Sequence, residues 1–362
     1  MCLAIATLSL TLRADDPAKG DDAKKPAASE SKTDDPPAAT KENKKSDDQP
    51  AEQEKSEEKK PVAAKAEKPQ PDDKKPADKK ADDKKPAADK KADDKKPETK
   101  KKEEPAKPQS AFPDPGLEAA VRAEVFEKRY NKEPITKEDV ANISQVIGVG
   151  KKIKNLEGLQ HCKALMQIDL ADNEIVDLKP IAELKRLQSV TLSGNKIKNI
   201  KPLAELTNMQ LLDLSGNEVK DLNALKKMSN LRSLYLSGNQ ISDLTPIAEL
   251  SKIWSLYVDG NKLADLGPVG KLGWLTTLDI TGNQIKSLEP LATLGELDLL
   301  MMSRNKVSDL TPLVEMCQKD AEGERRFAPY MEVYLGENPI DEKAKAEHSK
   351  KLESFGVDVY DK

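Results

Sequence analysis

Histidine, cysteine and carboxylate build most active sites and metal centres, and this chain arranges them in a way that builds neither. Its two histidines, His161 and His348, stand at opposite ends of the region after residue 111, and its three cysteines, Cys2, Cys162 and Cys317, are equally scattered. A zinc site needs such ligands clustered at short spacings, and none of these pairs offers one. No glycine-rich phosphate loop, no G-x-G-x-x-G and no G-x-S-x-G occurs. One set of acids does recur: Asp177, Asp221, Asp243, Asp265 and Asp309 fall in a single register. Carboxylates in a ladder could bind calcium. Falling once per unit at one boundary, they read better as turn residues that bond their own backbone. The expectation is a protein that is not an enzyme and uses no cofactor or metal. Asn142-Ile143-Ser144 matches a glycosylation acceptor but lies ahead of the repeated region and carries little weight.

The most ordered chemistry in the chain is an amide. Asn173, Asn195, Asn217, Asn239, Asn261, Asn283 and Asn305 stand at a period of 22, with Lys151 one step upstream. Two residues after each comes an aliphatic side chain, from Ile175 to Val307, and five after comes another, from Leu178 to Leu310. Three before stands Leu170, Leu192, Leu214, Leu236, Val258, Ile280 or Met302. A fixed period of this length marks stacked repeats. Within one unit, Leu231 to Leu236 alternates Leu234 and Leu236 against Ser233 and Tyr235, which is strand periodicity. Gly238 and Asn239 then turn the chain, and Pro246 opens a return too short for a regular helix. Each unit is expected to be a strand, a turn and a tight 3₁₀ or helical return. An asparagine carries donor and acceptor together, so it can satisfy backbone groups that the turn leaves unpaired.

These units resemble leucine-rich repeats of the 22-residue class, found in bacterial internalins and in a regulatory subunit of protein phosphatase 1. The resemblance covers roughly residues 112–360. It implies an α/β solenoid: a leucine-rich-repeat arc with a parallel concave β-sheet, short 3₁₀ or helical convex segments, a helical N-terminal cap and an α/β C-terminal cap. It also implies that the seven asparagines are structural, pointing inward to bond backbone of neighbouring coils. Cys162 and Cys317 then lie seven repeats apart, more than about 30 Å at strand spacing, so no disulfide joins them.

Domain boundaries follow from composition. Residues 1–14, MCLAIATLSLTLRA, look like a signal peptide whose basic start is missing; the apolar run is too short for a membrane span. Residues 15–110 hold no aromatic and balance 26 lysines against 26 acids, so they can neither form a core nor act as a basic nucleic-acid-binding tail. They read as a disordered spacer, with a reach of roughly 300 Å at about 3.1 Å per residue. Residues 111–145 form the helical cap, with Asp114 as N-cap ahead of Pro115 and a second short helix after Thr136-Lys137-Glu138-Asp139. Repeats occupy 146–340, with an insertion near Gln318 to Ala328 before Asn338 resumes the register, and 341–362 close the arc.

What remains for function is surface. The outward strand column runs Asp169, Thr191, Asp213, Tyr235, Tyr257, Asp279, Met301 and then Tyr334. Tyr235 and Tyr257 are its expected aromatic pair, bordered by Asp213, Asp259 and Asp279, with Trp254 at the strand entrance. Exposed tyrosines with an acidic border have the character of an interface hot spot. The reading is an exported, monomeric, non-catalytic module in the periplasm, cell envelope or outside the cell. Its partner is a protein or cell-surface ligand, not nucleic acid. The alternative is a structural envelope protein whose spacer does the work while the solenoid anchors it.

Overall fold

The computed structural model describes residues 109–361. The signal-like residues 1–14 and all but the last two residues of the 15–110 spacer lie outside the described residues. The repeats produce three-residue strands: β1 (Gln145–Ile147), β2 (Gln167–Asp169), β3 (Ser189–Thr191), β4 (Leu211–Asp213) and β5 (Ser233–Tyr235). They continue as β6 (Ser255–Tyr257), β7 (Thr277–Asp279), β8 (Leu299–Met301), β9 (Glu332–Tyr334) and β10 (Asp358–Tyr360). All ten pair in parallel in chain order, forming the concave sheet of the arc.

Strands this short cannot stand alone; stacking makes them stable. From β3 to β9 the middle strand residue is buried while its neighbours are half-exposed, as in Ser233-Leu234-Tyr235. Beneath the sheet the aliphatic columns stack coil upon coil, with Leu214, Leu236, Ile241, Leu244 and Leu250 all nearly inaccessible. Each such leucine contributes roughly 1.5–3 kcal/mol by leaving water. The returns are 3₁₀ turns, as at Lys179–Ile181, Lys201–Leu203 and Thr245–Ile247, and proline sits in their first turn where no amide donor is needed. Asp177, Asp221, Asp243, Asp265 and Asp309 each accept the backbone N–H two residues on, which starts the return.

The asparagines lie inside the turns, at 6–8% exposure. Asn239 Oδ1 accepts from Val219 N in the preceding coil at 2.9 Å, while its Nδ2 donates to Leu214 O at 2.9 Å and to Leu236 O at 3.0 Å. Asn173, Asn195, Asn217, Asn261, Asn283 and Asn305 repeat this pattern. The glycine before the asparagine has a positive φ, +63° at Gly238, a region that L side chains enter at a cost.

At the front, helix α1 (Pro115–Glu124) is capped by Asp114, whose Oδ1 accepts from Gly116 N and Leu117 N. Its Oδ2 accepts from Lys154 N and Asn155 N, fastening the cap to the first coil. The second cap helix expected after Thr136 does not form; residues 137–142 are turns. Asp139 Oδ2 accepts from Thr136 N and from Lys128 Nζ, both at 2.6 Å, so the carboxylate secures a local turn to the neighbouring loop. Backbone bonds from Ala141 N to Glu138 O and from Ile143 N to Val140 O then skip only three residues. At the back, the insertion becomes part of helix α2 (Thr311–Glu322), which buries Leu313, Val314, Met316 and Cys317 in place of a short return. Asn338 then restores the ladder, donating to Met302 O and Leu335 O at 2.9 Å. Helix α3 (Glu342–Ser354) follows, capped by Asp341, and returns the chain to β10. No helix among the described residues is long and apolar enough to cross a membrane.

Candidate functional site

Parallel pairing without stagger places equivalent outward residues side by side. Asp213, Tyr235, Tyr257 and Asp279 are consecutive register partners across β4 to β7. The Tyr235 and Tyr257 rings stack with centroids 4.9 Å apart and planes 18° from parallel, close to the ordinary strand spacing. Both rings are half-exposed on the sheet, above Leu234 and Leu256, which face the core. Ser233 and Ser255 lie half-exposed on the same strands.

The acids at the border are held by their own backbone: Asp213 Oδ1 accepts from Ser215 N and Asp279 Oδ1 from Thr281 N, each at 2.9 Å. Burial pushes the Asp279 carboxyl above the usual range; its bonds to Thr281 oppose this, nearby Asp259 adds to it and Arg304 offsets part. Burial likewise raises the Tyr257 hydroxyl, assisted by Tyr235 and Asp279. Trp254 lies directly before β6 and is 45% exposed, so it forms a rim. Its Nε1 donates to Ser233 Oγ at 3.1 Å, and the Arg232 guanidinium lies 5.6 Å from the ring centroid. The six residues singled out on this surface therefore fall on adjacent strands β4 to β7 or directly beside them.

The aromatic pair expected from the sequence, Tyr235 and Tyr257, is joined in the structure by a second one. β10 pairs with β9 so that Tyr360 stacks on Tyr334, centroids 4.6 Å apart and planes 16° from parallel. The signal was present as a repeated triplet, since Glu332-Val333-Tyr334 and Asp358-Val359-Tyr360 share the order acid, valine, tyrosine. Its spacing of 26 rather than 22 hid it, because helix α3 replaces the short return. Arg232 was also missed, for its position becomes meaningful only against Trp254 in the next coil. Clefts occur at the N-terminal cap, lined by Phe126, Asp139 and Asn142, and beside helix α2, lined by Lys319, Asp320 and Phe327.

Comparison with known proteins agrees with this architecture. Residues 207–249 match the family described as Leucine Rich repeats (2 copies), and residues 274–287 match Leucine Rich repeat. Among solved structures, internalin C2 from Listeria monocytogenes is 33% identical, with a TM-score of 0.55 over 59% of this chain and 96% of that one. An internalin F from the same organism is 25% identical, with a TM-score of 0.59 over 72% of this chain and 75% of that one. The ectodomain of the plant receptor kinase GASSHO1/SCHENGEN3 from Arabidopsis thaliana shares the fold at 18% identity and a TM-score of 0.50, over 62% of this chain and 28% of that one. No curated protein matches the chain. With its asparagine ladder, its parallel concave sheet and its match along nearly the whole of internalin C2, the chain belongs to the internalin-like leucine-rich-repeat proteins.

Proposed function

We propose that this chain is an exported, non-catalytic module that binds another protein through the concave sheet, with Tyr235 and Tyr257 at the centre of the contact. The stacked tyrosine pair between Asp213 and Asp279 carries this reading. Large amphipathic rings lose little side-chain entropy on binding, and a central position favours exclusion of water. Trp254, Asp259 and Asp279 complete the rim. Residues 1–14 serve export, 15–110 act as a spacer, and the caps at 111–145 and 341–362 close the repeats of 146–340. Its place of action is the periplasm, the cell envelope or the extracellular space. The likeness to internalins supports this reading.

Capture with the full chain from envelope and extracellular fractions, followed by mass spectrometry, should identify a partner. The pair Tyr235→Ala and Tyr257→Ala should then weaken that partner's affinity by about thirtyfold, roughly 2 kcal/mol. Unchanged affinity in a folded double variant would move the site off this face.

A further inference from the structure

Lysine pairing of acids is found away from the concave face and not on it. Away from the sheet several are tied to lysines of neighbouring coils, Glu174 to Lys196 at 2.9 Å, Glu205 to Lys227 at 2.7 Å and Glu218 to Lys198 at 3.1 Å, while the turn acids Asp221, Asp243 and Asp265 are held by backbone N–H groups. On the concave side, Asp213, Asp259, Asp279, Asp298, Glu332 and Asp358 form no salt bridge with any described residue. Arg232 is held over Trp254, and Arg304 acts on Asp279 without forming an ion pair with it. Negative charge left without a counter-ion on a partly desolvated sheet is unfavourable for the free protein. A cationic ligand converts the same charges into recognition.

The apolar surface has a direction. Across β5 to β10 the outward column reads Tyr235, Tyr257, Asp279, Met301, Tyr334 and Tyr360. Two tyrosine stacks thus face the same side, separated by the Asp279 and Met301 strands. The step from β6 to β9 is about 14 Å at a strand spacing of about 4.8 Å. That matches about four residues of extended chain at about 3.3 Å each. Between the stacks and beside them, Ser233, Ser255 and Thr277 offer small hydroxyls suited to a peptide main chain.

We infer that the concave face receives an extended basic polypeptide segment lying across the strands from β4 to β10. Its cations meet Asp213, Asp259 and Asp279, and its apolar or guanidinium surfaces rest on the two tyrosine stacks. This deepens the proposed function and rests on it. The span of six strand steps, about 29 Å, corresponds to about nine extended residues. Phosphate-bearing ligands are repelled by the same acids. The chain's own residues 15–110 are a poorer match, because their 26 lysines are balanced by 26 acids.

The test uses the full chain and a fluorescent nonapeptide alternating arginine and leucine, with a glutamate-for-arginine counterpart, read by anisotropy. The basic peptide should bind saturably and weaken about tenfold or more as salt rises from about 0.05 to about 0.3 M. Tyr334→Ala with Tyr360→Ala should weaken it by about tenfold, about 1.4 kcal/mol. Asp213→Lys with Asp279→Lys should reverse the preference toward the acidic peptide, a gain that misfolding cannot imitate. No saturable binding of the basic peptide, or equal binding of both, would overturn the inference. If the Tyr235→Ala/Tyr257→Ala pair abolishes binding and the Tyr334→Ala/Tyr360→Ala pair changes nothing, the central site stands and the extended footprint falls. Tighter binding after Lys100→Gln, Lys101→Gln and Lys102→Gln would make the chain's own segment the occupant and overturn an external one. Self-association abolished by the Asp-to-Lys changes would do so in favour of a second copy.

Discussion

Asn239 and Leu214 are 25 residues apart in the chain, yet the Asn239 side-chain nitrogen lies 2.9 Å from the Leu214 carbonyl. The same amide accepts Val219 N at 2.9 Å. One side chain therefore closes its own turn and holds the turn of the coil before it.

Asn239→Ala should destabilise the solenoid, since a buried backbone group left unpaired costs about 1–3 kcal/mol. Adjacent coils depend on each other, so protection from hydrogen exchange should fall on both sides of residue 239. Asn239→Asp keeps the acceptor and loses the donors, and should fall at or below the alanine variant at neutral pH. A parent-like melting temperature for Asn239→Ala would contradict the role assigned to the amide.

Asp114 should matter beyond its own helix. Burial raises its carboxyl, but bonds from Lys154, Leu117, Asn155 and Gly116 outweigh that and hold it below its ordinary value of 3.8. A lowered carboxyl contributes stability above pH 3.8 that is lost as the pH falls through the folded value. Asp114→Ala should cost about 1–2 kcal/mol as a lost N-cap, with a further loss from release of the first coil. Acid titration of the parent and the variant, followed by circular dichroism, should show the two converging at low pH.

Asp279 should show the opposite behaviour. Its carboxyl is raised, chiefly by burial, so the folded state resists its ionisation and stability declines as pH rises through and above 3.8. Asp279→Asn keeps an acceptor for Thr281 and should melt higher than the parent at neutral pH, with the gain disappearing in acid. A lower melting temperature at pH 7 would show that the negative charge itself supports the fold.

Cys162 and Cys317 are buried free thiols, each pushed up to about 12 by burial. Neither should react with iodoacetamide at about pH 8 until the solenoid unfolds, because the thiolate is the nucleophile. Raised thiols favour the folded state below the ordinary value of 9.0, and that contribution drains away as pH climbs toward 12. Labelling of either residue in native protein, located by mass spectrometry, would contradict their packing.

The repeat was legible in the residues because one period repeats the same local problem: Leu234 must be covered, the turn at Gly238 must be allowed, and orphaned backbone must find an amide. That is enough to set strand, turn, return and parallel order, and hence which residues face outward. Tyr235 and Tyr257 were legible for the same reason, being 22 apart. Where the period breaks, pattern reading loses its ruler. Thr136 to Asp139 has the spacing of a helix start and even forms its capping bond, yet residues 137–142 run as turns, with Asp139 also paired to Lys128 at 2.6 Å. Only the packed structure decided that helix α3 returns the chain so that Tyr360 stacks on Tyr334, because a return of arbitrary length leaves no mark on the register. The pairing of Glu174, Glu205 and Glu218 with lysines, and its absence at Asp213 and Asp279, was likewise hidden. Composition counts charges, but whether two of them meet depends on coils that lie a full repeat apart.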